Sequence, residues 1–385
     1  NGTGQTAGAC VADGFVPTDV CDGLGTCVDQ VPGAPGPATG PRLEGEWFGV
    51  YTSLGVTGPV TTTRAVVDIT TNSNAFEIKA SQSFGASIFG AANTGFICTA
   101  SDGFTEARLS LGSLIGRQLD QHLAIVSSPV ADGAAMWLRA DEGIASMVDG
   151  KYNYVQTSIV FGAAAPVTWH GSVTFDQGCL TGGAIETDPT VSVGFDFIGS
   201  PEHCLSASEL EGEAELVELS TRVRAQSGDS TNYPIFFRGA IGRNGDVLLM
   251  VKEDRATDPN RLTPEYGVVI MVREPQDSVS PATMVGDWAY SFQSRVQTNI
   301  RRDVGVIEWA ADGVIRPGTL SGISGDVSMS AGWYITNDAA SRISQRISVD
   351  NNSLYQFGFI APSRRFVVGW GVASTALDLP VLLGD

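Results

Sequence analysis

From Leu43 onward the chain is cut into short segments in which apolar and polar residues alternate, each bounded by Gly, Asn, Asp, Ser or Pro. A period of two sets one face of an extended segment against a core and the other in water, so it specifies half-buried antiparallel strands as the main element. Val66-Val67-Asp68-Ile69-Thr70, Thr168-Trp169-His170-Gly171-Ser172-Val173-Thr174-Phe175 and Val327-Ser328-Met329-Ser330-Ala331-Gly332-Trp333-Tyr334 are representative. Turn chemistry agrees. Arg243-Asn244-Gly245-Asp246 separates Pro234–Ala240 from Val247–Val251, and Asn-Gly between two apolar runs marks a hairpin because both residues tolerate positive φ. Asp312-Gly313 and Asp350-Asn351-Asn352-Ser353 punctuate the chain in the same way. Long helical patterns are almost absent. The best candidate is Ser206 to Leu219, opened by a Ser206/Glu209 capping box.

The pattern recurs on a larger scale. Leu43-Glu44-Gly45-Glu46-Trp47-Phe48, Val148-Asp149-Gly150-Lys151-Tyr152-Asn153 and Met284-Val285-Gly286-Asp287-Trp288-Ala289 share a glycine, a charged residue and an aromatic. Three closing segments are also alike: Gly133–Arg139, Gly267–Arg273 and Arg365–Gly371. Each interval holds seven or eight strand-like segments in roughly 100 residues, long enough to close a small barrel or sandwich of its own. The expected architecture is all-β: three tandem antiparallel β-barrel or β-sandwich domains at 43–140, 141–275 and 276–385. Residues 1–42 differ, being rich in Gly, Pro, Ala and Thr without apolar periodicity, and read as an irregular N-terminal segment.

Composition excludes several functions. With 42 acidic against 23 basic residues the net charge is −19, which repels phosphate backbones and anionic lipid headgroups. No nucleic-acid partner is expected. No apolar run reaches the roughly 18 residues that a membrane-spanning helix needs, so a soluble chain is expected. The chain opens at Asn1 without an initiator Met, which predicts a mature product after signal-peptide removal or a trimmed chain. Six cysteines, Cys10, Cys21, Cys27, Cys98, Cys179 and Cys204, form an even set that favours disulfides in an oxidising, extracellular or cell-surface setting. A zinc site competes, but Cys21 and Cys27 have no histidine near them.

Cys21-Asp22-Gly23-Leu24-Gly25-Thr26-Cys27-Val28-Asp29 resembles the C-D-G-x-G-T-C modules of secreted and surface proteins of myxobacteria and their relatives. The resemblance implies a stapled N-terminal knot in a secreted protein. Full modules carry more cysteines, so one is expected to reach into the folded body, with Cys98 as partner of Cys10. The G-x-W openings resemble the first-strand motif of lipocalins and related calycin barrels, whose tryptophan closes one barrel end beneath an arginine of the last strand. That resemblance implies that Gly45 and Trp47 pair with Arg139, and Gly150 and the substituted Tyr152 with Arg273. Gly286 and Trp288 have no evident arginine. A stacked arginine of this kind is worth on the order of 1–2 kcal/mol when desolvated.

Catalytic signals are sparse. The three histidines, His122, His170 and His203, have no recognisable nucleophile or metal partner, and G-x-S-x-G is absent. His203 beside Cys204 suggests a thiolate pair, set against a Cys179–Cys204 disulfide. Glu209, Glu211, Glu213 and Glu215 alternate with Leu210, Gly212, Ala214 and Leu216. On a strand they share one face, to be solvated, paired with arginine or bridged by Ca²⁺, the one candidate cofactor. On a helix they scatter.

Two features bear on assembly. Lys79, Lys151 and Lys252 are the only lysines, so strand edges lack the residues that commonly block edge-to-edge pairing. The terminus carries Leu377, Leu379, Val381, Leu382 and Leu383, which either cap their own barrel or add to a neighbouring subunit. The chain therefore reads as a secreted, non-catalytic structural or adhesive protein that self-associates, a subunit of an extracellular fibre or coat. A calycin-like carrier of small apolar molecules and a carboxylate-dependent hydrolase are the alternatives.

Overall fold

A computed structural model of the 385-residue chain describes residues 9–11, 14–16, 20–21, 27–28, 45–53, 62–69, 75–77, 80–84, 94–99, 107–111, 114–118, 123–127, 133–140, 147–160, 167–188, 191–207, 216–226, 232–253, 265–276, 285–296, 299–309, 321–322, 333–336, 346–349, 356–360, 362, 366–371, 376–378 and 381–384. Side chains are described chiefly within 147–156, 169–186, 194–207, 216–226, 232–252 and 267–276.

The best-defined part is a closed antiparallel barrel. Its strands are β1 (Gly150–Val160), β2 (Val167–Asp176), β3 (Cys179–Asp188), β4 (Val191–Ile198), β5 (Val217–Ala225), β6 (Asn232–Gly242), β7 (Val247–Glu253) and β8 (Glu265–Arg273). Each pairs with the next in chain order. β4 meets β5 only through Phe195↔Ala225, Asp196↔Arg224 and Phe197↔Val223, and β8 returns to β1 from Tyr152↔Arg273 to Val160↔Glu265. Closure shortens the open edge of this sheet to the β4–β5 seam, which three residue pairs bridge, and reducing free edges is the physical gain of an up-and-down barrel.

The turns follow from residue chemistry. Gln177 and Gly178, both at positive φ (49° and 83°), form the two-residue turn between β2 and β3 that matches the right-handed strand twist. In the turn between β6 and β7, Arg243, Asn244 and Gly245 are all at positive φ (55°, 56° and 84°). β2 and β3 shift register between Thr174 and Phe175, the mark of a β-bulge. Opposite this bulge Gly183 has φ of 152°, and a Cβ there would lie 2.4 Å from the Ser172 carbonyl oxygen, so glycine is required.

Burial separates two kinds of strand. β5 alternates, with Leu219, Thr221 and Val223 buried and Ser220, Arg222 and Arg224 exposed. Its inner face joins a core that includes Tyr152, Tyr154, Phe175, Phe197, Phe237, Met250 and Met271. β7 and β8 do not alternate: Val247, Leu249, Val251, Val268, Ile270 and Val272 on their outer faces are as buried as the inward residues. A strand apolar on both faces must be covered on both. The cover is other parts of the chain: Gly133–Arg139 lies against β6, Gly45–Ser53 against β7, Thr62–Ile69 against β8, and Phe366–Gly371 against β1 and β2. The approach is close enough that a Cβ on Gly242 would sit 2.7 Å from both the Arg139 carbonyl oxygen and Leu138 Cδ1. Burying this outer wall contributes on the order of 10 kcal/mol gross.

Strands within 45–139 pair with one another, as do those within 286–384. In the first set Gly133–Arg139 returns to Gly45–Ser53, placing Arg139 opposite Trp47. Ala80–Phe84 pairs with Thr62–Ile69, while Ala75–Glu77, two residues earlier in the chain, pairs with Thr94–Thr99. In the last set Gly286–Val296 pairs with Asn299–Trp309 on one side and Val381–Gly384 on the other.

Three expectations change. Ser206 to Leu219 is not a helix at its described ends: Ser206–Ala207 is a strand paired with the first residues of β5, which begins at Val217. Period-two burial of Val217, Leu219 and Val223 in the barrel outweighs a local capping signal. Phe366–Gly371 is not the closing strand of the last set; it is followed by Val381–Gly384, which pairs with it and with the first strand. The apolar terminus is thus internal to its own sheet. Val381, Leu382 and Leu383 have strand partners on both sides, leaving no free edge there for a second subunit, and Leu377 pairs with Arg295. Leu379 lies outside the described residues.

Candidate functional site

The barrel has two unlike ends. At the end where β1 starts and β8 stops, Tyr152 points inward and is fully buried against Phe175, with ring centroids 5.5 Å apart. Its hydroxyl donates to the Gly245 carbonyl at 2.7 Å and accepts from Arg273 Nε at 3.1 Å. The Arg273 guanidinium lies 5.6 Å from the Tyr152 ring centroid, donates to the Met147 carbonyl at 2.9 Å and approaches Asp246 at 3.7 Å. Burial pushes the Tyr152 phenol up, with Arg273 pulling the other way. Burial also raises the Asp246 carboxyl, opposed by the charges of Arg273 and then Arg243.

The segment after β4 crosses the same end. Leu180 N–H donates to the His203 carbonyl at 2.8 Å and Leu205 N–H to the Gly178 carbonyl at 2.9 Å, which seats Leu205 in the core. Cys179 and Cys204 are joined by a disulfide, so the Cys204 thiolate chemistry considered beside His203 does not arise. His203 Nδ1 donates to the Ile198 carbonyl at 2.8 Å, with the Thr221 hydroxyl 3.2 Å away, and ties the loop to the barrel wall. This end is a plug of packed side chains and satisfied backbone, suited to stability.

The opposite end is lined differently. Trp169, Phe195 and Tyr233, from β2, β4 and β6, pack against the core but stay partly exposed, with centroids 5.3 Å apart for Trp169 and Phe195 and 6.2 Å for Phe195 and Tyr233. Gln156 stands opposite Trp169 and Val269, hence inside, and its side-chain carbonyl accepts from the Tyr154 hydroxyl. Lys252 stands opposite Phe237 and Gly267 and is 3% exposed. A lysine, a glutamine and three aromatics therefore face the interior. Reading by motif passed over them. The available signal was the lysine ending the run Val247–Val251, on the same strand face as Leu248 and Met250.

His170 is on the outer wall, buried, with Nε2 3.5 Å from Glu186. Asn153, also outward, is fully buried, and neither its amide nitrogen nor its oxygen has a hydrogen-bond partner among the described residues.

The remaining sequence candidates are scattered or undescribed. Gly45 and Trp47 lie on the strand opposite Arg139; Gly286 and Trp288 lie on Gly286–Val296, with Trp288 opposite Gly384. Gly150 starts β1 with φ of 90°. Cys21 and Cys27 are directly opposed in the two-stranded pair Val20–Cys21 and Cys27–Val28, and the strand with Cys10 lies against that with Cys98. Glu209, Glu211, Glu213, Glu215 and His122 fall outside the described residues. Among the described residues no three His, Cys, Asp or Glu side chains gather as a metal site, and no helix is long and apolar enough to cross a membrane.

No protein-family model matches the chain, and no curated protein matches its sequence. Among solved structures it is similar to two forms of the vaccine antigen transferrin binding protein B from Haemophilus parasuis Hp5. The Tyr-167-Ala and Trp-176-Ala double mutant gives a TM-score of 0.23 at 7% identity, over 92% of this chain and 97% of that one. The Trp-176-Ala mutant gives 0.21 at 7% identity, over 92% and 98%. Overlaps this loose assign no fold, and the barrel rests on its own strand pairings.

Proposed function

We propose that the chain is a secreted or cell-surface structural or adhesive protein, built as three tandem β-barrel or β-sandwich domains locked side by side and serving as a subunit of an extracellular assembly. The observation that carries this reading is the buried outer wall of β6, β7 and β8. Phe236, Ala240, Leu249, Val251, Ile270 and Val272 face away from the barrel interior yet are excluded from solvent. A barrel that only carried a ligand would need one apolar face per strand; apolar residues on both faces serve to fix it to its neighbours. The last-to-first return of the sets within 45–139 and 286–384 supports the tandem reading, and the Cys179–Cys204 disulfide supports an oxidising compartment. Subunit contacts in this reading use the barrel walls, since the terminal strand is engaged at home.

Limited proteolysis and light scattering on the full chain test it. One protease-resistant body forming larger species as concentration rises is the expected result. Release of separate fragments of roughly 100 residues would overturn the locked arrangement, and a strict monomer at all concentrations would overturn the assembly.

A further inference from the structure

We propose that Asn244-Gly245, in the turn between β6 and β7, is a site of spontaneous backbone modification that the Tyr152–Arg273 plug holds in check. This goes beyond the structural role above and stands or falls separately from it.

The pair itself carries the chemistry. Glycine has no side chain to shield its own nitrogen, so the Gly245 amide nitrogen can attack the side-chain carbonyl carbon of Asn244. The new N–C bond closes a succinimide ring, the bond from that carbon to the side-chain nitrogen breaks, and ammonia leaves with the proton from Gly245. Water then opens the ring at either carbonyl and leaves aspartate or isoaspartate at position 244. Water is the only co-reactant. Asn1-Gly2 and Asn244-Gly245 are the two Asn-Gly pairs of the chain, and Asn244 is exposed.

The turn blocks the first step. Asp246 N–H donates to the Arg243 carbonyl at 3.2 Å, and φ of 56° at Asn244 and 84° at Gly245 are those of a type I′ turn. In that conformation the Gly245 nitrogen lies nearly trans to the Asn244 Cβ across the Cα–C bond, on the wrong side for attack. Ring closure requires the peptide between the two residues to turn over, which changes φ of Gly245. Gly245 is buried and gripped. Its carbonyl accepts from the Tyr152 hydroxyl at 2.7 Å and from Arg273 Nη2 at 3.4 Å, and a Cβ on it would lie 2.8 Å from the same Nη2. How often the plug releases the turn therefore sets the rate of modification. The product fits the turn less well. It carries a new carboxylate two residues from Asp246, and isoaspartate adds a backbone methylene to a turn whose length fixes the Gly242↔Val247 register.

The test incubates the full chain at mildly alkaline pH, folded or in concentrated urea. The peptide carrying Asn244 is followed by the mass gained when –NH2 becomes –OH and by separation of its aspartate and isoaspartate forms. The unfolded chain should convert at least about a hundredfold faster than the folded one. Tyr152→Phe, which releases the Gly245 carbonyl from the phenol, should speed conversion of the folded protein about tenfold. Replacing Cys179 and Cys204 by alanine loosens the loop across the same end without altering the turn, and should change the rate less than about twofold. The comparison of folded with unfolded chain needs no substitution, so the test stays decisive if Tyr152→Phe does not fold. Equal rates in the folded and unfolded chain, no conversion in urea, a folded Tyr152→Phe protein that converts no faster, or equal acceleration by loss of the disulfide each overturns the proposal.

Discussion

Arg273 and Tyr152, 121 residues apart in the chain, are joined across the seam between β8 and β1, the guanidinium Nε donating to the phenol oxygen at 3.1 Å. The phenol O–H in turn donates a hydrogen bond to the Gly245 carbonyl, so the seam and the turn between β6 and β7 are tied at one point. Tyr152→Phe removes two hydrogen bonds but keeps the ring, and is expected to cost about 1–2 kcal/mol. Arg273→Met also strips donors from the Met147 carbonyl and the counter-charge from Asp246, and is expected to cost more, about 2–3 kcal/mol. Urea unfolding of the two variants checks the order. A milder effect of Arg273→Met would show that the arginine is not the centre of the plug.

Asp246 gives a pH signature. Its carboxyl is raised in the folded protein, chiefly by burial, so the folded state binds this proton more tightly than the unfolded state does. Stability relative to Asp246→Asn is therefore flat above the raised value. It grows as pH falls through that value and levels off below the ordinary value of 3.8. Comparing the two proteins at each pH cancels the other carboxylates. A difference that shrinks on acidification would reverse the sign and remove burial as the dominant cause.

The Cys179–Cys204 bridge spans 25 residues and holds the loop across the plugged end. Replacing both cysteines by alanine frees that loop in the unfolded chain and is expected to cost about 3 kcal/mol. Peptide mapping without reductant should recover the linked pair, and denaturant unfolding should show the loss. A loss under about 1 kcal/mol would mean that the loop is held by its hydrogen bonds alone.

Asn153 offers the opposite case, a substitution that stabilises. Both its polar side-chain atoms are buried without hydrogen-bond partners among the described residues, on the outer face of β1, the strand that lies against Phe366–Gly371. Asn153→Leu has nearly the same size and removes the desolvation cost, with an expected gain of about 1–2 kcal/mol. Thermal unfolding reads it directly. Destabilisation would indicate a bridging water, which a high-resolution map would reveal.

Much of the barrel was legible before any coordinates. Period-two alternation located β2, and Asn244-Gly245 between two apolar runs marked β6, β7 and the turn joining them, because side-chain direction and positive φ are local properties. Gln177-Gly178 carried no comparable signal, since glutamine at positive φ is imposed by the strands it joins. The last strand was misassigned: both Phe366–Gly371 and Val381–Gly384 are apolar, and only hydrogen-bond pairing tells which of them meets the first strand.

What the sequence determined by itself was therefore the kind of element and its punctuation: antiparallel strands, their turns and the aromatic that opens β1. Tertiary structure alone decided which faces look inward. Leu249 and Leu248 are adjacent, equally apolar and equally buried, yet one faces a neighbouring sheet and the other the barrel interior. It decided also that Lys252 lies inside, because closure of β8 onto β1 defines the interior, and that pairing joins residues more than a hundred positions apart. A period can be read from a few consecutive residues, but the sense of a face depends on what the whole chain brings against it.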